Sequence, residues 1–368
     1  MRSFNRTSRH TQQGKRIQRS KKISKMATTT EATRVVLGND RPYMRYETVQ
    51  KPKDFLKDLK KSVKIKILSQ SEEKVEFELE GIDASLANTI RRVLLSETPT
   101  IAIEKVYIKN NTSIMQDEVL SHRLGLLPIR CDPEKLEYVG ESGKGTHDAN
   151  TLVFKMNVKC TETDLKNTST DPQDATTCFK TVYSKALKWE AHGRQEKMFE
   201  GEEPKMVFDD IVLNKLRPGQ EIDLVAHAFK GIGRDHAKFS PVATAYYRMM
   251  PKVTILRDIT GKDAETLKEK CPGVFDVEDM GNGKKRAVVV NARNCTMSRE
   301  CIRDPRWKDS IELSRVRNHF IFSVESSGVL PAPEIFQRAM KVLKKKFSKT
   351  KENLQNAVDA DSAMDTSS

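Results

Sequence analysis

The stretch from Gly81 to Ile103, GIDASLANTIRRVLLSETPTIAI, constrains the fold more than any other. Asp83 is suited to cap a helix start, and Pro99 stops a helix soon after the last apolar position. Between them Leu86, Ile90, Val93 and Leu94 fall at i, i+4, i+7 and i+8, one stripe of a 3.6-residue helix and ordinary core. Asn88, Arg91, Arg92 and Leu95 lie away from that stripe. A leucine beside two arginines on a nominally wet face has two readings. It is one of the exposed leucines most proteins carry, or it belongs to a second contact surface.

Around this helix the sequence alternates as a sheet does. Val63, Ile65 and Ile67 alternate with lysines, and Val75, Phe77 and Leu79 with glutamates. These two period-2 runs, separated by SQSEE, predict an antiparallel hairpin with one buried face. Ile101 to Ile108 is the next strand, which makes an α+β unit with a helix laid on an antiparallel sheet. Asp117 to Leu127 reads as a second helix ended by Pro128; it carries His122 and Arg123, and a lone helical histidine reads as a structural or surface residue rather than a ligand. From there to about Gly219, strand-like pieces (Leu152 to Val158, Met206 to Leu213) alternate with long polar loops, the texture of a strand-rich insertion.

Glu221 to Phe229 and Val242 to Arg248 return to strand. Gly231-Ile-Gly233 between them is not a dinucleotide fingerprint: His236 stands where the third glycine belongs, and no βαβ context surrounds it. These glycines read instead as permitting a sharp turn. Residues 258 to 315 are polar and irregular, with one clear strand at Ala287 to Val290. After a strand at Val316 to Val324, Pro333 opens a helix in which Phe336, Met340, Leu343 and Phe347 recur at near-heptad spacing beside Ile335, Ala339 and Val342. So wide an apolar face either belongs to a helix buried in its own core or forms a seam with a second helix.

Composition bounds the rest. The 368 residues suffice for one large or two modest domains, and no run approaches the roughly 18 apolar residues of a membrane span. The net charge is +14, but residues 1 to 26 hold nine Lys/Arg and no acid, so the remainder carries +14 less 9, or +5. The basicity is substantially a tail property and weak support for nucleic-acid binding by the folded part. That tail reads in three ways: a presequence lacking its apolar face, a basic nuclear or nucleic-acid-binding arm, or a translated leader before a true start at Met26. The last is preferred. Cys131, Cys160, Cys178, Cys271, Cys295 and Cys301 are widely spread, which suits free thiols in a reducing compartment. Cys295 and Cys301 have five residues between them and no histidine near, so no metal site is expected. Walker A, G-x-S-x-G and H-E-x-x-H patterns are absent, and no catalytic pair rises above background. The chain reads as one that binds and positions.

Four segments in order carry a resemblance: NTIRRVLLS followed by a proline and a strand, DEVLSHRLGLLPI (Asp117 to Ile129), HAKFSPVATAYYRMMP (His236 to Pro251) and FSVESSGVLPAPEIFQRAMKVLKKK (Phe322 to Lys346). Together they resemble the alpha-type assembly subunits of multisubunit RNA polymerases. The resemblance implies a dimerisation domain in three parts (61–105, 221–257 and 316–350), interrupted by an insert domain at 106–220. A degenerate counterpart of the cluster-binding, ferredoxin-like insertion of archaeal relatives then falls at 258–315. A disordered basic tail (1–26), an irregular lead-in (27–60) and a disordered C-terminal tail (351–368) complete the division.

The resemblance also implies what the surfaces do. Leu86, Ile90, Phe336, Met340, Leu343 and Phe347 form the interface with a smaller alpha-like subunit, and Arg91, Arg92 and Leu95 dock the second-largest subunit. Small accessory subunits are further partners, DNA and RNA are met only through the complex, and neither cofactor nor membrane is involved. Cys131-Asp-Pro-Glu-Lys-Leu-Glu-Tyr stands where the polymerase II counterpart carries a cysteine-dense zinc loop. With HAKFSPV, it resembles the member shared by polymerases I and III, a non-catalytic nuclear and nucleolar subunit serving rRNA, 5S rRNA and tRNA transcription. The alternatives are the polymerase II or archaeal counterpart and, in another class, a nucleic-acid-binding protein acting through its basic arm.

Overall fold

A computed structural model describes residues 28–37, 42–50, 55–140, 145–162, 179–281 and 284–365. The basic tail at 1–26 and Cys178 lie outside the described residues. The chain forms two compact units. One holds the residues through Lys66, Glu78–Ala87 and Tyr247–Ile321; the other holds Ile67–Phe77, Asn88–Tyr246 and Phe322 onward.

In the first unit β1 (Thr28–Leu37) and β2 (Pro42–Gln50) pair antiparallel, and a helix, α1 (Phe55–Ser62), precedes β3 (Lys64–Gln70) and β4 (Lys74–Glu80). The strand order of this sheet is β2-β1-β16-β4-β3, where β16 is Ile311–Ser326, and β13 (Val242–Ile255) also pairs with β16; β3, β4, β13 and β16 each have residues in both units. The expected hairpin is present as β3 and β4, but its burial is one-sided. Val75, Phe77 and Leu79 are buried, whereas Ile65 and Ile67 are 56% and 59% exposed. Among the described residues β3 ends the strand order and has a neighbour on one side only, so alternation there does not yield a covered face.

Residues 258 to 315 are more regular than the sequence suggests. α5 (Lys262–Lys270), the hairpin β14 (Phe275–Asp279) and β15 (Lys285–Val289), and α6 (Glu300–Arg303) surround a core that includes Leu267, Phe275, Ile302 and a fully buried Trp307. Polar composition concealed this small core because each element contributes only one or two apolar side chains.

The second unit is built on an antiparallel sheet of order β5-β12-β7-β9. Its strands are β5 (Pro99–Asn111), β7 (Thr151–Lys159), β9 (Lys188–Glu190) and β12 (Glu221–Ile232). β12 pairs with β5 on one side and β7 on the other, so residues 221–232 join the sheet of the insertion, which the expected boundary at 220 would have separated from them. Leu224 and Ala226 of β12 and Phe154 and Met156 of β7 face a core also lined by Leu120 and Leu124 of α3 (Asp117–Gly125). Short pieces complete the layer: β6 (Ile129–Arg130) with β10 (Lys205–Met206), β8 (Lys180–Tyr183) with β11 (Val212–Leu216), and α4 (Gln195–Met198). Met206 to Leu213 is therefore not one strand. The chain bends between β10 and β11, where the Ser184 hydroxyl donates to the Phe208 carbonyl (2.5 Å) and the Ser184 amide to that of Ile211 (2.8 Å).

α7 (Ala332–Asp365) is the longest helix described. It continues through the region expected to be a disordered tail from 351. Within this unit Phe77 stacks on Phe322 with centroids 5.2 Å apart, and Phe336 of α7 tilts against Phe77 at 4.7 Å.

Candidate subunit interface

The organising helix is α2 (Ala84–Ser96). Its start is capped as the sequence indicates: the Asp83 carbonyl accepts from the Ala87 amide (3.1 Å), and the Asp83 carboxylate accepts from the Ser85 hydroxyl (2.9 Å). Burial works to raise the pKa of that carboxyl, but the Ser85 hydroxyl, the Ser85 and Ala84 amides and Arg317 together hold it below its ordinary value. At the other end the Thr98 hydroxyl and amide both donate to the Val93 carbonyl, which closes the helix before Pro99.

Of the expected core stripe, Ile90, Val93 and Leu94 are buried, with Ala87 beside them, and Leu86 is half-buried. At 8% exposure Ile90 is committed to the chain's own core and has little surface left for a partner. The opposite side divides as follows. Arg91 is half-buried and folds back on Asn88, whose Oδ1 accepts from Nε (3.2 Å) and Nη2 (2.9 Å). Arg92 is exposed and Leu95 half-buried. Among the described residues neither arginine makes an ion pair, so two guanidinium groups with unused donors flank an apolar side chain.

The loop after β12 fixes the end of α2. A Cβ on Gly233 would lie 2.3 Å from the Leu95 carbonyl oxygen, and one on Gly231 would lie 2.7 Å from the Phe239 ring. Neither glycine has a positive φ. Gly233 lies in the expected turn, at 233–235, and both glycines also permit close approach, which the sequence reading did not anticipate. HAKFSPV proves to be a clamp on β5: the Thr100 hydroxyl donates to the Phe239 carbonyl (2.7 Å), and Lys238 donates to the Ile103 carbonyl (2.8 Å) while pairing with Glu104. His236 caps this turn by accepting from the Lys238 amide.

α7 presents a graded face. Ile335 and Ala339 are fully buried, Phe336, Met340, Val342 and Leu343 half-buried, and Phe347 is 58% exposed. Lys346 pairs with both carboxylate oxygens of Glu97 (2.5 and 2.6 Å), which tethers α7 to the chain just beyond α2.

One residue escaped the sequence reading. Arg338 is 8% exposed, and its guanidinium reaches Asp132 (2.8 Å) and Glu334 (2.6 and 3.0 Å). Asp132 also accepts from the Glu134 amide (2.9 Å), capping the Pro133–Lys135 turn. The Asp-Pro-Glu-Lys segment is thus bound to α7. The available signal was Glu334 four residues before Arg338, an i,i+4 pair.

The five cysteines described are free, and burial pushes the thiols of Cys131 and Cys301 up to about 12. Among the described residues no group of three or more His, Cys, Asp or Glu is placed to hold a metal ion. No helix among them is long and apolar enough to cross a membrane.

Comparison with known proteins bears on this geometry directly. Residues 76–347 match the family described as RNA polymerase Rpb3/Rpb11 dimerisation domain. The mouse (Mus musculus) protein named DNA-directed RNA polymerases I and III subunit RPAC1 is 45% identical over 304 residues, 82% of this chain and 87% of its own. The Saccharomyces cerevisiae protein of that name is 45% identical over 294 residues, 78% of this chain and 86% of its own. Subunit 3 of DNA-directed RNA polymerases II, IV and V from Arabidopsis thaliana is 33% identical over 295 residues, 77% and 89% of the two chains. An α+β chain with a long apolar-faced terminal helix, matched over most of its length, belongs to the RNA polymerase Rpb3/Rpb11 dimerisation-domain family.

Proposed function

We propose that the chain is a non-catalytic assembly subunit common to DNA-directed RNA polymerases I and III, working in the nucleus and nucleolus. The observation that carries this reading is the outward gradient along α7, from Ile335 and Ala339 in the core to Leu343 and Phe347 at the surface. A helix that leaves an apolar stripe half-covered in a dimerisation domain is built to share that stripe with a second chain. The smaller alpha-like subunit is the partner we assign to it, meeting Phe336, Met340, Leu343 and Phe347, with Leu86 at the margin. The higher identity to subunits named for polymerases I and III than to one named for II, IV and V supports the choice of complex.

Arg91, Arg92 and Leu95 form the second surface, which docks the second-largest subunit, and small accessory subunits are further partners. Arginine suits this task because its planar fork holds a carboxylate or two carbonyls at once. The test is a double charge reversal, Arg91→Glu with Arg92→Glu, in a tagged chain. The smaller subunit co-purifies as before and the second-largest subunits of polymerases I and III disappear. Normal recovery of those large subunits would sink the docking assignment.

A further inference from the structure

The sheet β5-β12-β7-β9 has two faces, and the hydrophobic core covers one of them. The register sets out the other. Val225 lies opposite Tyr107 on β5 and Lys155 on β7, and one row along His227 lies opposite Lys105 and Val153. Tyr107 is 51% exposed, and its ring meets His227 edge-on at 4.8 Å, with Phe229 6.5 Å beyond. Lys105 precedes Tyr107 at two-residue spacing and shares this face, with the two side chains about 6.8 Å apart. Lys109 falls at a register shift of β5 against β12, and its charge acts on Glu190 of this face.

Charge on this face is not balanced. Lys155 pairs with Glu190 and Lys159 with Glu221, whereas among the described residues Lys105, Lys109 and Lys188 are exposed and make no ion pair, with Asp223 the remaining acid on this face. Nδ1 of His227 is buried without a hydrogen-bond partner among the described residues. Burial, then Lys105 and His192, hold the pKa of this imidazole down. These surroundings favour the neutral ring, whose buried Nδ1 is closed to solvent.

We propose that this open face binds a single-stranded nucleic acid, with a base stacked on Tyr107 and phosphates against Lys105, Lys109 and Lys188. An exposed antiparallel sheet bearing aromatic rings and interleaved cations is a stacking platform whose affinity is sequence-tolerant. An acidic peptide would satisfy the lysines yet leave the open side of the Tyr107 ring without a planar partner; a nucleotide supplies both.

The experiment uses the full chain with fluorescein-labelled 12-nucleotide oligo(U) and oligo(dT), read by anisotropy over a range of salt, with ultraviolet crosslinking to map the contact. Tyr107→Ala weakens binding about ten-fold. Lys105→Glu with Lys109→Glu lowers the salt slope by about 1.4, as expected for two phosphates of a single strand. Lys64→Glu with Lys66→Glu, a charge-matched control on β3, changes little, and crosslinks fall in residues 99–111. A preference for oligo(U) assigns RNA, and equal binding assigns either strand. Wild-type binding by the Tyr107 variant, or an equal loss in the control, would overturn the proposal. So would crosslinks confined to residues 1–26. Tyr107-dependent binding of a 12-residue polyglutamate in place of the oligonucleotides would also overturn it, assigning the face to a protein segment.

Discussion

Arg338 of α7 and Asp132 beyond α3 form a nearly buried ion pair, Nη1 to Oδ1 at 2.8 Å, with side-chain exposures of 9% and 26%. Glu334 completes the guanidinium's partners from one turn earlier. Truncating one member of such a pair leaves the other charge unmatched where water is scarce, which costs about 3 to 5 kcal/mol. Arg338→Ala therefore lowers unfolding free energy by about 3 kcal/mol, measured by urea denaturation. Arg338→Lys recovers only part, since an ammonium cannot address two carboxylates in the plane of a fork.

The same pair makes stability depend on acidity. Burial acts to raise the pKa of Asp132, but the Glu134 amide and Arg338 outweigh it, so its folded pKa lies below the ordinary value of 3.8. A depressed folded pKa contributes stability that is complete above the unfolded value and disappears as pH falls through the folded one. Asp132→Asn should therefore flatten the loss of stability below about pH 5 compared with the parent chain. Denaturation midpoints at a series of pH values measure that difference in slope; parallel curves would exclude Asp132 as a contributor.

Phe347 separates folding from assembly. Because its side chain is 58% exposed, Phe347→Asp changes the chain's own stability by no more than about 0.5 kcal/mol. In the seam proposed here it is an aromatic anchor, and its loss weakens association with the smaller subunit by about ten-fold or more. Thermal unfolding of the single chain and co-purification of the pair read the two effects independently.

Gly233→Ala probes the packing of the loop onto α2. The added methyl would meet the Leu95 carbonyl oxygen at 2.3 Å, and a backbone oxygen cannot swing away as a side chain does. The cost is about 1 to 3 kcal/mol of overpacking, read in the same urea titration. Because φ at this position is not positive, backbone strain adds nothing, and the effect isolates steric contact.

The sequence disclosed what periodicity and punctuation encode. Asp83, Pro99 and the Ile90–Val93–Leu94 stripe place α2 correctly, and β4, β5, β12 and α7 follow from their own alternation or repeat. It did not disclose what depends on partners distant in the chain. Ile65 and Ile67 alternate as faithfully as Val75 and Phe77, yet only strand order decides which pair is covered. Gly231 and Gly233 read as turn residues, and only Phe239 and the Leu95 carbonyl beside them reveal the close approach. Arg338 was overlooked because a charged residue at helical spacing reads as solvated until its burial and the distant Asp132 are known. For the proposed docking surface, helical spacing puts Arg91, Arg92 and Leu95 away from the core stripe, but it does not disclose that Asn88 draws Arg91 back while Arg92 stays exposed.

The length of α7 has a consequence for how assembly could be observed. Residues 351–365 extend it by 15 residues, roughly 22 Å, and the side chains described from 351 to 357 are all exposed, Leu354 among them. A helical arm of that length held at one end only is marginal in water. Its amides exchange with solvent rapidly when the arm is bare and slowly when another chain lies along it, so deuterium uptake over 351–365 would serve as a built-in occupancy gauge, read without touching any residue of the chain.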